Sequence, residues 1–343
     1  METWAIMLIV IGVLLGLGGI GVVLYFFVFA SSSDDTSVEP RKLRVAETLP
    51  ANEFNLVYPY TLVRRDTNTI HIDETDEVPG FDVLLTYAPQ YWGVTRHGQM
   101  TAVVFSREDL SGWDLHLYYG TTLSDTHTRD TPPPTSVQSL DVTFQSDADP
   151  IGYVMVFTAT VVQMSRVDLT VDTSTGTILK ATPGSWINVP NNISELHATT
   201  AGHALVIRRS SFGPSYHIFD GYAFGSSIPF SAGLGFGTSG PIIWLAQGRT
   251  PEVTISRLSA QATASLTRTL DLGSVLTIQG VDVFLSDPVN TVFDVCIWTL
   301  TTIYYFRGET LVQTYEPEVD FSDVTVYSDG FLIKSGTNVI KVR

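Results

Sequence analysis

One pattern recurs along most of this chain: an apolar strand is followed, about a dozen residues later, by the start of a second strand. The strands are β-branched and aromatic runs bounded by Gly, Pro, Asp and Asn, and no stretch beyond residue 50 keeps a helical spacing. The pairs are Leu56–Tyr58 with Ile70–Ile72, Ala102–Phe105 with Asp114–Tyr119, Val154–Phe157 with Val167–Val171, Ala204–Ile207 with Tyr216–Phe219, Ile242–Leu245 with Val253–Leu258, Val292–Trp298 with Ile303–Phe306, and Phe331–Ile333 with Val339–Val342. Successive first strands begin roughly 40–55 residues apart, the period of one four-stranded propeller blade. We therefore expect an all-β, six- or seven-bladed β-propeller in residues 51–343.

Two turns in these repeats resemble turns of known propellers. The segment Ser328–Ile333, followed by Gly336–Val342, resembles the cadence of WD40-like blades. The segment Val171–Leu179 resembles the turn between outer strands in quinoprotein-like propellers, with Gly176 free to adopt positive φ and Asp172 capping the turn. These motifs are short, so the resemblance implies the propeller superfold and no particular family. The blade count is six if residues 56–72 only close the ring, and a pair of β-sandwiches is the competing fold.

The first residues predict a membrane anchor. From Trp4 to Ala30 there are 27 residues without a charged side chain, whereas about 20 apolar residues suffice to cross a bilayer. A cleaved signal peptide is the alternative, but its apolar region is shorter and follows a basic segment, and the only charge before this run is Glu2. We therefore divide the chain into an anchor at 1–30, a linker at 31–50 and the propeller. Gly12 and Gly16 have the spacing that lets two membrane helices pack closely.

The side of the membrane is only weakly indicated. Arg41, Lys42 and Arg44 follow the apolar run and no Lys or Arg precedes it, which slightly favours a cytosolic propeller. Cys296 is the single cysteine, so no intramolecular disulfide can form, and its apolar neighbours predict a buried thiol. The sequon at Asn192 can carry a glycan only if the domain is lumenal.

Composition narrows the classes of partner. The net charge is −16, from 35 acidic and 19 basic side chains, and no cluster of Lys or Arg is present of the kind that binds nucleic acid. The residues are 44% hydrophobic and only 16% charged, so the chain has ample material for a core and a surface with few charges. The bilayer, through residues 4–30, and other proteins are the partners we expect.

None of the candidate motifs for ligand binding or catalysis has the sequence context that such a site requires. The segment Gly235–Gly240 matches the spacing of a dinucleotide-binding loop, but a strand follows where that motif requires a helix, so we predict an ordinary loop between blades. Asp147 and Asp149 are too few for a calcium loop, and the seven histidines have no zinc-binding spacing. No nucleophile elbow is present. We therefore predict no catalytic residues, no metal and no cofactor.

What remains is a membrane-anchored structural or interaction protein. Its propeller would dock partner proteins at a fixed distance from the bilayer, and one setting is a virion in which a minor capsid protein bridges an internal membrane and the shell. Aromatic residues are enriched at interfaces, so loops that contain Trp, Tyr and Pro are the predicted contact sites, with Tyr91, Trp92, Pro132, Pro133 and Pro134 as the residues. A glycan-binding or glycan-cleaving propeller outside the cytosol is the alternative.

Overall fold

Strands in this protein are arranged in seven antiparallel sheets. The computed structural model describes residues 43–343 apart from 58–60, 76–77, 145–150, 160–161, 190–192, 199–201, 209–213, 231–233, 240–241, 250–251, 259–263, 273–276, 288–291 and 328–329. Leu43–Arg343 is one compact unit, and no helix occurs among its described residues.

Each sheet is one blade, and the blades follow one another along the chain. Blade 1 contains β2 (Glu53–Val57), β3 (Thr61–Asp66), β4 (Thr69–Ile72) and β5 (Phe81–Leu84); blade 2 contains β6 (Trp92–His97), β7 (Met100–Ser106), β8 (Gly112–Tyr119) and β9 (Thr122–Asp130). Blade 3 contains β10 (Ser136–Phe144), β11 (Ile151–Ala159), β12 (Gln163–Asp172) and β13 (Thr177–Pro183), with the short β14 (Ile187–Asn188) also paired to β12; blade 4 contains β15 (Glu195–Ala198), β16 (Ala204–Arg208), β17 (Ser215–Phe219) and β18 (Ile228–Pro229). Blade 5 contains β19 (Leu234–Ser239), β20 (Ile242–Arg249), β21 (Glu252–Leu258) and β22 (Ala264–Asp271); blade 6 contains β23 (Gly280–Asp287), β24 (Val292–Trp298), β25 (Ile303–Arg307) and β26 (Thr310–Tyr315).

The seventh blade combines the first described strand with the last three. It contains β27 (Asp323–Tyr327), β28 (Gly330–Ser335) and β29 (Asn338–Val342), and its outermost strand is β1 (Val45–Pro50). Val45 is opposite Val342, and Pro50 is opposite Asn338. Part of the predicted linker, residues 45–50, is therefore the strand that closes the ring. The six-bladed and β-sandwich alternatives are wrong, because residues 53–84 form a complete blade of their own.

Six of the seven predicted strand pairs are confirmed as hairpins between the second and third strands of blades 2 to 7. The exception is blade 1, where residues 56 and 57 belong to β2 and residues 70–72 to β4, and both strands pair with β3. Strand β3 escaped notice because it carries Arg64 and Arg65. Their charges are matched by Asp73 at 3.6 Å and Glu53 at 2.8 Å, so the strand tolerates them.

Apolar clusters fill all seven junctions between neighbouring blades. At each junction, one residue from either blade belongs to the same apolar cluster. These pairs are Val63 and Val103 for blades 1 and 2, Val104 and Val156 for 2 and 3, Phe157 and Val206 for 3 and 4, Ile207 and Leu245 for 4 and 5, Val253 and Phe293 for 5 and 6, Cys296 and Phe331 for 6 and 7, and Leu332 and Leu62 for 7 and 1. Middle strands are therefore covered on both faces. Strand β7 is buried throughout, whereas the outermost β9 alternates exposed and part-buried residues.

The predicted turn between the outer strands of blade 3 is confirmed. Asp172 accepts hydrogen bonds from the backbone N–H of Ser174 at 2.9 Å and from its hydroxyl at 2.7 Å. Gly176 has φ +68°, and its N–H donates to the Asp172 carbonyl at 2.8 Å. The turn joins β12 to β13, where a side chain at positive φ would be strained.

The predicted anchor at 1–30, with Gly12 and Gly16, lies outside the described residues, as do linker residues 31–42. Within residues 43–343, as far as they are described, no helix is long and apolar enough to cross a bilayer. The membrane anchor and the side of the membrane on which the propeller lies thus stay predictions.

Cys296 is buried, as predicted, with 0% of its surface exposed. Burial, together with the negative charges of Asp282 and Asp294, raises the pKa of its thiol well above the ordinary value. Because only the thiolate is a good nucleophile, we expect the folded chain to resist alkylation by iodoacetamide at pH 8, and the denatured chain to gain one adduct. Intact-mass measurement of the two samples checks this. Equal labelling rates in both would contradict a closed junction between blades 6 and 7.

Candidate functional site

The connections from one blade to the next lie on the same face as the turns between second and third strands. Backbone hydrogen bonds join the two sets of loops: Leu85 N–H donates to the Asn68 carbonyl at 2.9 Å, and Thr131 N–H donates to the Ser111 carbonyl at 2.8 Å. We call this the connection face. Residues 132–134 lie within one such connection, and residues 91–92 lie at the end of another. Both groups of predicted contact residues therefore belong to the connection face.

Tyr91 and Trp92 are only partly exposed, because they take part in packing between blades. The Tyr91 side chain packs against the core between blades 2 and 3, and its N–H donates to the Ser106 hydroxyl at 3.1 Å. Trp92 packs between blades 1 and 2, and its indole N–H donates to Glu53. The structure thus gives both residues a packing role. Their predicted role in binding is untested.

The three prolines form an exposed ridge that is held firmly at both ends. Thr131 is buried, and its hydroxyl shares its single proton between the carbonyls of Ser111 and Thr135, each at 2.9 Å. Thr135 N–H in turn donates to the Pro132 carbonyl at 2.9 Å, while Pro132, Pro133 and Pro134 stay exposed. We call residues 132–134 the proline ridge. A ridge with fixed ends and ring-locked φ angles has little conformational freedom to lose.

A cleft of about 440 Å³ opens on the same face of blade 2. Its walls come from the connection between blades 1 and 2 and from β8 with the turn before it. The lining residues are Tyr87, Arg107, Glu108, Asp109 and Asp114. We call this space the blade 2 cleft. It is tied to the proline ridge, because the Ser111 carbonyl accepts from Thr131 and the Leu110 carbonyl accepts from Val137 N–H at 2.9 Å.

Charge in the blade 2 cleft is predominantly negative. Its one cation, Arg107, is held by Asp114 at 3.3 Å and Asp130 at 2.5 Å. Burial alone would lower the pKa of Arg107, but the hydrogen bonds to Asp130 and Asp114 outweigh it and raise that pKa. Backbone and side-chain hydrogen bonds from Ser111, at 3.0 and 2.7 Å, lower the pKa of Asp109 and keep it ionised. Glu108 and Asp109 are exposed, so they can meet an approaching cation.

Tyr87 is the aromatic residue among those that line this site, and other rings pack behind it. Tyr87 lies 6.3 Å from Phe105 between ring centroids, and Phe105 makes an edge-to-face contact with His116 at 4.9 Å. Burial, followed by the charge of Asp114, raises the pKa of the Tyr87 hydroxyl. That hydroxyl oxygen is buried and makes no hydrogen bond within the described chain. The site therefore combines an aromatic wall with carboxylates at its mouth.

The glycine-rich segment is not a loop, and here our prediction was wrong. Residues 234–239 form β19, the innermost strand of blade 5, and β19 lies against the innermost strand of blade 6. A Cβ atom on Gly235 would overlap the Val281 carbonyl oxygen and lie 2.5 Å from the Asp282 Cα. The glycine thus allows two backbones to approach near the axis, which leaves no place for a nucleotide at Gly235.

Other predicted positions lie outside the described residues. They are Asp147 and Asp149, which we took for a simple turn, and the sequon residue Asn192. Among the residues that are described, no group of three or more His, Cys, Asp or Glu side chains is placed to hold a metal ion.

Sequence reasoning missed a buried arginine that joins blade 3 to blade 4. Arg166 is 8% exposed, and all five of its N–H groups have acceptors. Nε and Nη2 donate to the two Asp168 carboxylate oxygens at 2.7 and 3.3 Å, and Nη2 also donates to the Tyr222 hydroxyl at 3.2 Å. Nη1 donates to the carbonyls of Gly202 at 2.9 Å and Asp220 at 3.1 Å.

Two tyrosine rings enclose the same guanidinium. Its central carbon lies 5.0 Å from the Tyr153 ring centroid and 4.9 Å from that of Tyr222. The cation is thus within cation–π distance of two aromatic rings, and its N–H groups are hydrogen-bonded. No motif could have revealed this cluster, because three of its partners are 36 to 56 residues away in sequence. It has no capacity left for a ligand and is a structural lock.

Comparison with known proteins gives the fold and no more. No family model matches the chain, and no curated protein matches it by sequence. A chain from the crystal structure of BBS1N in complex with ARL6DN is similar, with a TM-score of 0.53 and 11% identity, and the match covers 88% of this chain and 96% of that one. BamB from Moraxella catarrhalis (TM-score 0.41, 9% identity, 88% and 97% covered) and the dihydro-heme d1 dehydrogenase NirN (0.49, 11%, 83% and 61%) are more distant. A likeness at 11% identity shows the fold alone, and one fold supports many functions, so it does not decide whether this chain is a catalyst. This chain is a seven-bladed β-propeller that these comparisons assign to no family.

Proposed function

We propose that this protein is a membrane-anchored docking protein whose connection face binds a basic segment of another protein at blade 2. The observation that carries the proposal is the fixed, exposed proline ridge beside an open cleft with carboxylates at its mouth. The propeller provides a rigid support for this site, since every blade junction is filled by apolar side chains.

Rigidity supports a binding role for energetic reasons. Ordering a mobile loop on binding costs free energy, so a surface that is already ordered binds more tightly for the same contacts. Hydrogen bonds of Thr131 and Thr135 hold the ridge in place before any partner arrives. Proline rings also present apolar surface without side-chain entropy to lose.

Charge supports a basic partner. Glu108 and Asp109 are exposed, whereas Arg107 is already neutralised by two carboxylates. A Lys or Arg side chain of the partner would meet these carboxylates with its charged end and the Tyr87 ring with its apolar stem. The net charge of −16 would also speed the approach of a basic partner.

Tethering is the second part of the proposal. The uncharged run Trp4–Ala30 supports a membrane anchor that keeps the docking face near the bilayer. The similar BBS1N chain is seen in a complex with another protein, which supports a protein as the kind of partner. A virion with an internal membrane is one proposed setting, supported by the anchor and by the absence of a second cysteine.

The test is carboxylate-directed cross-linking of the full chain in its native membrane or particle, followed by mass spectrometry. We expect cross-links from Glu108 and Asp109 to lysines of another protein, and we expect Asp109→Lys to remove most of them. Asp172→Lys is the matched control, because Asp172 caps an equivalent Asp-x-Ser turn on the opposite face. Its bonds to the serine are 2.9 and 2.7 Å long, against 3.0 and 2.7 Å at Asp109. If the two variants lower cross-linking equally, the docking site is not at blade 2.

A further inference from the structure

The innermost strand of each blade has one equivalent position. In six blades the residues before and after it are both apolar, and in blade 2 they are Trp92 and Val94. The residues at this position are, in chain order, Asn55, Gly93, Asp141, His197, Gly235, Asp282 and Thr325. The order glycine then aspartate occurs twice, in blades 2 and 3 and again in blades 5 and 6. The second pair lies three blades further along the chain than the first.

In the first of these, an aspartate on blade 3 connects to the blades on both sides. A Cβ atom on Gly93 of blade 2 would lie only 2.7 Å from the Asp141 Oδ1, so the carboxylate fits because that residue is glycine. Oδ1 accepts from Val142 N–H of its own strand at 2.8 Å. Oδ2 accepts from Ala198 N–H of blade 4, also at 2.8 Å. One side chain of blade 3 thus packs against Gly93 of blade 2 and is hydrogen-bonded to blade 4.

The second set repeats this arrangement. Gly235 of blade 5 leaves room for the backbone at Asp282 of blade 6. The Asp282 Oδ2 accepts from Val326 N–H of blade 7 at 2.9 Å. Ala198 and Val326 are equivalent, since each follows the shared position in its blade. The same residue types at the same places therefore make the same bond twice.

We propose that Asp141 and Asp282 are equivalent staples near the axis, each bonding its own blade to the next, and that the Asp141 staple is weakened when its carboxylate takes up a proton. A carboxylate accepts stronger hydrogen bonds than a neutral carboxylic acid does. Protonation therefore lengthens or breaks the bond to Ala198 and loosens blade 4 from blade 3 at the axis.

The surroundings of Asp141 place this event near physiological pH. Burial raises the pKa of Asp141 to about 6, although the hydrogen bond from Ala198 and the charge of His197 act to lower it. His197 is itself 3.3 Å from Glu195 on the same strand. On β6, Arg96 donates to Thr61 and Asp73 of blade 1, and His97 packs on Phe144. Strand β11 and the rest of β10 contain no other charged residue, and Asp114 and His116 of β8 face Arg107 and Phe105.

The free energy of unfolding cannot report the weakening of the bond to Ala198, because protonation of Asp141 changes the global stability and the strength of that bond in opposite directions. The folded pKa of Asp141 lies above the ordinary 3.8, so between these values the folded chain binds more protons than the unfolded chain. Asp141 therefore adds stability at low pH and loses that contribution as the pH rises towards 6. The bond to Ala198, by contrast, strengthens over the same range. The measurement must follow the bond itself.

The test is a pH titration of the full chain, with selectively labelled alanine and valine, followed by ¹H–¹⁵N NMR. A charged acceptor shifts an amide proton downfield, so we expect the Ala198 resonance to move upfield as the pH falls through about 6. Asp141→Asn should abolish that movement, whereas Asp282→Asn should leave it intact and displace the Val326 resonance instead.

His197→Gln tests whether the change at Ala198 depends on the neighbouring imidazole. Removal of the imidazole takes away a charge that favours the Asp141 carboxylate, so the Ala198 titration should persist with a higher midpoint. A titration that survives in Asp141→Asn and disappears in His197→Gln would overturn the proposal, since the proton would then belong to His197. An Ala198 resonance that does not move between pH 4 and 8 would overturn it as well.

Discussion

Replacement of Arg166 by methionine is expected to lower the free energy of unfolding by about 3–5 kcal/mol. The change leaves Asp168 without its cation and the carbonyls of Gly202 and Asp220 without their donors. It also removes the cation–π contacts with the rings of Tyr153 and Tyr222. Chemical denaturation followed by tryptophan fluorescence measures the loss.

The control is Arg268→Met, which removes an exposed ion pair of 2.9 Å to Glu309. The Arg268 and Glu309 side chains are 46% and 66% exposed, so solvent screens the pair and the expected loss is less than about 1 kcal/mol. Arg166→Lys should lie between the two, because lysine keeps the charge but cannot make five hydrogen bonds in a plane. Similar losses for Arg166→Met and Arg268→Met would contradict the role of Arg166 as a lock between blades.

Gly235→Ala is expected to destabilise the protein by about 3 kcal/mol or to prevent folding. Its methyl group would overlap the backbone of Val281 and Asp282, and a backbone cannot move aside as a flexible side chain can. The innermost strands of blades 5 and 6 would have to separate. Thermal unfolding of the purified variant is the measurement.

Gly120→Ala is the comparison that isolates backbone overlap. Gly120 has φ +60°, and a Cβ atom there would have no neighbour within 4 Å. Its substitution therefore adds only the strain of a left-handed conformation, about 1–2 kcal/mol. If Gly235→Ala is no more harmful than Gly120→Ala, the glycine at the axis is not required for blade packing, and a role for the glycine-rich segment in binding would have to be reconsidered.

The middle strands of the blades could be predicted because both their faces are buried. Strand β7 is buried at every residue, so it appears in the sequence as a continuous apolar run. Innermost and outermost strands carry glycine, charged or exposed residues, and their pattern is weaker. Strand β19 was taken for a loop for this reason, and β1 for a linker, since most of its residues are exposed.

The candidate site was only partly predictable. The proline ridge was found because proline clusters mark exposed loops, and it does lie on the connection face. The carboxylates of the blade 2 cleft were missed, because Glu108 and Asp109 look like any polar turn until the fold places Tyr87 beside them. Tyr91 and Trp92 show what composition cannot separate: aromatic residues next to a turn also serve as packing between blades, and a binding role for these two residues stays a prediction.

Closure of the ring by β1 affects the order in which the chain can fold. Val45 leaves the ribosome long before Val342, its partner across the strand pair, has been synthesised. Blades 1 to 6 can form their sheets as they emerge, but β1 must wait with its strand edge unpaired until β29 has been synthesised. Such an edge invites pairing with other chains. Closure of the ring is therefore expected to be the slowest and most vulnerable step of folding, because β1 and β29 are the most distant strands in sequence that pair with each other.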